Sequence, residues 1–222
     1  MMLCLVTDRR RLAAALGIEA GAWDEALRTQ VRAAAEAGVD LVQVREPDLD
    51  TAALVALVKA IVSDLRGTAS RVLVNDRLDV AWAAGAAGVH LKERSFPVGA
   101  VRRVTAPGFW VGRSVHSEAA AVSAGDADYL IAGTVRPTVS KPSARCLGWE
   151  GLAAVVDASA GRPVLAIGGI DLPSIPLVAV SGAAGVAAIG AFIPLGGESL
   201  SEFVQKRVID MRLGFDSGHA VS

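Results

Sequence analysis

The run VLAIGGIDLPSIPLVAVSGAAGVAAIG, residues 164–190, decides the fold. From Leu172 to Gly197 the chain carries no charge and imitates a membrane helix. Pro173, Pro176 and Pro194, with Gly182, Gly185, Gly190, Gly196 and Gly197, would break such a helix repeatedly. The run reads instead as an apolar strand (Val164 to Ile167), a glycine pair (Gly168 and Gly169) and a short helix (Ser174 to Val180). A second strand (Gly185 to Ile189) then ends on Gly190. Strand, helix, strand in that order is a parallel crossover unit.

The same alternation extends back to the first residues. Strand patterns fall at Leu3 to Val6, Leu41 to Val44, Val72 to Val74, Gly88 to Leu91, Phe109 to Gly112 and Tyr129 to Ala132. Helical spacing separates them, with Trp23, Leu27, Val31 and Ala34 on one face and Leu54, Leu57, Val58, Ile61 and Leu65 on the next. Further helices are expected at Leu78 to Ala84, Val98 to Val104, Glu118 to Ala124, Trp149 to Ser159 and Leu200 to Leu213. Eight strands alternating with helices predict a single-domain α/β chain, a (β/α)8 TIM barrel over residues 1–213, followed by a C-terminal tail at 214–222. A doubly wound open sheet is the alternative, weakened because no Gly-x-Gly-x-x-Gly follows the first strand.

Composition agrees. The 222 residues suit one domain, and 52% hydrophobic residues with few aromatics fit strands buried on both faces. Lys plus Arg (22) balances Asp plus Glu (23), so no basic excess marks a nucleic-acid partner. Cys4 and Cys146 lie far apart without metal-type spacing, as in a reduced protein. Met1 to Val6 is too short an apolar run for a signal peptide, so a cytoplasmic protein without membrane association is expected.

In a barrel of this kind, chemistry gathers where strands end. Gly168-Gly169 and Ile189-Gly190 end strands seven and eight, where bare N–H groups commonly hold a phosphate. Glycines that merely turn the chain are the plain reading of the same residues. After strand six, Arg136, Thr138, Ser140 and Lys141 suit a second anionic group, or else form a solvated loop. Gln43, Arg45, Asn75, Asp76 and Ser114 stand at the ends of strands two, three and five. Of the histidines, His90 sits inside a strand and reads as packing, and His219 lies in the tail. His116 follows strand five on the active rim, where an imidazole can take and return a proton.

Read in order, Leu-Val-Thr-Asp (5–8), Gln-Val-Arg-Glu (43–46), Val-Asn-Asp-Arg (74–77), Gly-Val-His-Leu (88–91) and Gly-Arg-Ser-Val-His-Ser (112–117) resemble the thiamine phosphate synthase/TenI superfamily. Asp-Ala-Asp-Tyr (126–129), Pro-Thr-Val-Ser-Lys (137–141) and the Ile-Gly-Gly-Ile run extend the resemblance to about Phe192. It implies thiamine biosynthesis and a small phosphorylated thiazole as substrate. Two activities are implied: a synthase that joins a pyrimidine diphosphate to a thiazole phosphate with Mg²⁺, and a TenI-type tautomerase that aromatises a carboxythiazole phosphate without metal or cofactor.

Two departures from the synthase pattern favour the tautomerase. Pro47 stands where the synthase has a lysine, and Ser95 where it has a second Mg²⁺-binding aspartate, leaving Asp76 as the metal carboxylate of a synthase-like site. Glu93 is a candidate replacement. Ser95-Phe96-Pro97 looks tautomerase-like, and the resemblance then makes His116 the catalytic residue, with Gln43 and Arg45 orienting the ring or binding its carboxylate. A non-catalytic thiazole-phosphate binder is a third reading. A homo-oligomer, namely a dimer, is expected.

Overall fold

Apolar side chains on each strand go alternately to two separate cores. Leu3, Leu5, Val42, Val44, Val72 and Val74 pack outward against helices, while Cys4, Val6, Leu41, Leu73, Tyr129, Ile131, Leu165 and Ala187 fill a smaller cluster inside the sheet. A closed sheet wrapped by helices buries both faces in this way, which is why the strands read as continuous apolar runs.

In the computed structural model, which describes residues 1–138, 146–194 and 197–219, the strands are β1 Met2–Val6, β2 Leu41–Val44, β3 Arg71–Asn75, β4 Gly88–Leu91, β5 Trp110–Val115, β6 Tyr129–Gly133, β7 Val164–Ile167 and β8 Gly185–Ala188. All pair in parallel and in chain order, and β8 closes on β1 with Met2 beside Gly185. The helices are α1 Arg9–Leu16, α2 Trp23–Glu36, α3 Thr51–Asp64, α4 Leu78–Ala84, α5 Val98–Arg102, α6 Glu118–Val122, α7 Gly148–Asp157, α8 Ile175–Val180 and α9 Leu200–His219. The expected barrel is therefore present. No helix among the described residues is long and apolar enough to cross a membrane.

Two boundaries move by several residues from the sequence reading, and one helix is added. Strand β5 does not stop at Gly112 but runs to Val115, because Ser114 and Val115 continue its pairing with Ile131 and Ala132 of β6. The last helix does not stop at Leu213: it continues through the segment read as a tail, since Phe215 is one more buried apolar residue on its inner face. An additional helix, α1, follows β1 directly. Asp8 caps it by accepting from the Arg11 N–H, and Gly17 ends it at φ 65°. Its first residue hides a charge, for Arg9 is 9% exposed, pairs with Asp48 at 2.8 Å and stacks over Trp23.

Candidate active site

A cavity of about 850 Å³ opens at the C-terminal ends of the strands. Its floor takes one side chain from each strand or strand end. Gln43 (β2), Asn75 (β3), His90 (β4) and Ser114 (β5) make one half. Ile131 (β6), Ile167 (β7), Ile189 (after β8) and Val6 (β1) make the other. One half is polar and the other apolar.

The polar half is tied together before any ligand arrives. Gln43 Nε2 donates to Asn75 Oδ1 at 2.9 Å, while Gln43 Oε1 is buried and has no hydrogen-bond partner among the described residues. His90 is 1% exposed, with Nδ1 3.0 Å from the Tyr129 hydroxyl and Nε2 2.8 Å from Ser114 Oγ. Burial holds its pKa down at about 3, and the same burial raises that of Tyr129. The imidazole is therefore neutral and must donate through one nitrogen and accept through the other. Gly112 makes this possible: a Cβ there would stand 2.3 Å from the Tyr129 ring and 2.5 Å from His90 Nδ1. The packing histidine expected at position 90 is indeed buried and satisfied, yet it also forms the cavity floor.

Charged side chains ring the wall. Arg11, Arg45, Lys92, Arg94, Glu93 and His116 all line the cavity. His116 follows β5 as expected, and Glu93 Oε2 accepts from both its backbone N–H and its Nδ1, each at 2.7 Å. Behind Arg45, its N–H donates to Thr7 Oγ1 at 2.9 Å, and Glu46 accepts from the Arg9 N–H at 3.2 Å. Glu46 is 4% exposed, and burial pushes its pKa up to about 7 despite those bonds.

Asp76, read as the metal carboxylate of a synthase-like site, is not part of the cavity lining. It adopts φ 60° and turns to its neighbours: Oδ2 lies 3.0 Å from Lys92 Nζ, and Oδ1 accepts from the Lys92 N–H. Burial would raise its pKa, but the Ser95 hydroxyl and Lys92 outweigh it and the net shift is downward. Among the described residues no three His, Cys, Asp or Glu side chains gather as a metal site. Glu93, the candidate replacement, is committed to His116. The donors present do not fit a resident Mg²⁺, which asks for hard oxygen ligands free of competing ammonium groups.

At the apolar end, Gly168 and Gly169 take φ 97° and 67°. A Cβ on Gly169 would stand 2.6 Å from Arg136 Cβ and 2.8 Å from the Arg136 and Pro137 carbonyl oxygens. The β6–α7 loop thus lies directly on this backbone, a second reason for glycine beside ligand approach. A smaller cavity of about 370 Å³ opens here, lined by Gly168, Gly169, Ile189, Gly190, Thr138 and Arg11 among others. Ser140 and Lys141, read as anion-binding, lie outside the described residues. Arg136 is turned toward Asp171, at 3.5 Å.

The structure thus brings Gln43, Arg45, Asn75, Ser114, His116, Thr138, Gly168 and Ile189 to one cavity, with Gly169 and Gly190 beside it. Sequence reasoning missed Arg11 and the floor role of His90. Asp8, an N-cap residue three positions before Arg11, was the available signal for a helix that aims this arginine.

Comparison with known proteins identifies the family. The family model described as thiamine monophosphate synthase matches residues 3–192. A thiamine-phosphate synthase of Methanoculleus marisnigri is 42% identical over 171 residues, 74% of this chain and 79% of its own. One from a Roseiflexus species is 37% identical over 192 residues, covering 85% and 77% of the two chains. Among solved structures, thiamine phosphate pyrophosphorylase from Pyrococcus furiosus superposes with a TM-score of 0.78 at 33% identity, over 98% of this chain and 96% of its own. The chain belongs to the thiamine monophosphate synthase family.

Proposed function

We propose that the protein is a thiamine phosphate synthase, a transferase joining a pyrimidine diphosphate to a thiazole phosphate. This reverses the order that Pro47 and Ser95 suggested, and the names carried by relatives at 37–42% identity support it. One observation of the site carries the reading: Gln43 Oε1, in the cavity floor, is a buried acceptor with no partner among the described residues. Leaving it unpaired is costly, and an amino group on a pyrimidine ring supplies the missing donor. A carboxythiazole phosphate brings only acceptors toward that half.

The reaction forms one bond and breaks one. The thiazole ring nitrogen gives its lone pair to the methylene carbon of the pyrimidine, and the carbon–oxygen bond to the diphosphate breaks. Pyrophosphate leaves with that electron pair. Gln43 and Asn75 orient the pyrimidine, the glycine end holds the thiazole phosphate, and Arg45, Lys92 and Arg94 lie where negative charge must be offset. Because the donor set at Asp76 does not fit a resident Mg²⁺ ion, no step is assigned to metal.

The tautomerase remains a second reading on the strength of His116. With Glu93 accepting from Nδ1, Nε2 is the basic nitrogen, suited to moving a proton between two carbons. Incubation with each substrate set, with and without Mg²⁺, separates the two by product mass. Pyrophosphate and a coupled product support the synthase. Isomerised carboxythiazole phosphate with no coupling overturns it, and His116→Asn should then lower turnover about 100-fold.

A further inference from the structure

Three consecutive arginines open α1, and they have different fates. Arg9 and Arg10 both pair with Asp48, at 2.8 and 3.0 Å. Arg11 makes no ion pair among the described residues. The Asp8 cap fixes the rotation of the helix, and Arg11 is thereby directed toward the barrel mouth. It lines both the large cavity and the smaller one at the glycine end. Its Nη2 lies 3.3 Å from where a Cβ on Gly190 would stand.

Among the described residues the smaller cavity offers backbone from Gly168, Gly169 and Gly190 but little charge. Its other ionic lining residue among them is Asp171, whose carboxylate is engaged by the Ser174 N–H and by Arg136. Backbone N–H groups alone hold a dianion weakly in water, whereas a guanidinium adds charge and a two-pronged donor. We infer that Arg11 is a phosphate-binding residue, reaching from α1 over Gly190 to the phosphate of the thiazole substrate and setting the preference for the phosphate ester over the free alcohol. The inference rests on the proposed placement of that phosphate at the glycine end.

The test compares binding of a thiazole phosphate and the corresponding thiazole alcohol by calorimetry at two salt concentrations. Arg11 is exposed and only its backbone caps the helix, so Arg11→Ala should fold normally. It should bind the phosphate ester roughly 10- to 100-fold more weakly and the alcohol unchanged, with a shallower salt dependence. Arg11→Lys should recover part of the loss. Arg10→Ala, which removes equal charge one residue away, should keep the preference. If Arg11→Ala retains the full preference while Gly169→Val loses it, Arg11 is not the ligand though the phosphate site stands. If neither variant changes it, the phosphate placement itself is wrong. An equal loss in Arg10→Ala would reduce the effect to net charge and overturn the assignment.

Discussion

The two halves of the cavity floor solve recognition by opposite means. From β2 to β5, side chains hydrogen-bond across neighbouring strands, Gln43 to Asn75 and His90 to Ser114, so the polar groups are fixed before ligand enters. From β6 round to β1 the floor is Ile131, Ile167, Ile189 and Val6, and polarity comes from glycine-rich backbone above them. One half therefore depends on protonation states and exact side-chain identity, the other on backbone conformation. Perturbing each half should produce a different kind of failure.

The largest difference expected is in acid stability. Unfolded His90 protonates near pH 6.5, whereas folded His90 stays neutral down to about 3. Through that window the unfolded chain binds the extra proton, so stability falls as pH drops, by up to about 5 kcal/mol. Urea unfolding of His90→Gln at a series of pH values should show a shallower acid limb. Ile131→Val, from the apolar half, should cost about 1 kcal/mol at every pH and keep the slope. Equal slopes in wild type and His90→Gln would erase the distinction.

Glu46 sits under the β1 and β2 ends and acts with the opposite sign. Its pKa rises from 4.5 to about 7 on folding, so the folded chain holds the proton and stability falls as pH rises between those values. The loss is about 3 kcal/mol, present as stability below pH 4.5 and gone above pH 7. Between pH 4.5 and 6.5 the two buried groups oppose one another and the stability curve should be flat. Glu46→Gln should tilt that plateau so that stability climbs with pH, and a plateau unaltered in the variant would remove Glu46 from the account.

The glycine half should fail through geometry. Gly169→Val places a branched side chain at φ 67° against Arg136 and Pro137, and should weaken a thiazole phosphate about 100-fold with no new pH dependence. Binding equal to wild type in the folded variant would show that this backbone does not hold the ligand.

This contrast also governs what was legible beforehand. The barrel could be read because each strand is an apolar run followed by polar residues, and the glycine pair because glycine declares a backbone requirement in one letter. Gln43, Asn75 and Ser114 were visible as polar residues at strand ends. The pairings were not. Glu93 and His116 lie 23 residues apart, and nothing local announces that one holds the other. Nor does sequence show that Asp76 would adopt φ 60° and turn to Lys92. Arg11 was hidden among three identical letters, distinguished only by the rotation of a helix that itself went unread. The boundary errors have the same origin, since Ser114 and Phe215 extend their elements through long-range packing rather than local pattern.

The smallest effect expected is on metal affinity, and it tests how far the polar half has departed from a synthase site that uses Mg²⁺. Asp76 has one ammonium, one N–H and one hydroxyl as partners, so Mg²⁺ must displace Lys92 to reach it. The free protein should then bind Mg²⁺ only at millimolar concentrations or above, since cation affinity follows the number and charge of the ligating oxygens. Ser95→Asp returns a second carboxylate beside the first and should tighten Mg²⁺ by about tenfold, with a further gain when Lys92→Ala removes the competing ammonium. Pro47→Lys, the other departure from the synthase pattern, adds no oxygen and should leave Mg²⁺ affinity where it was. Calorimetry on the four proteins reads the series directly. Micromolar Mg²⁺ binding by the unaltered chain would mean that Asp76 gives up Lys92 at little cost, and the polar half would then be a metal site after all. Equal affinity in wild type and Ser95→Asp would instead show that the Lys92 pair, and not the missing carboxylate, decides what this end of the cavity accepts.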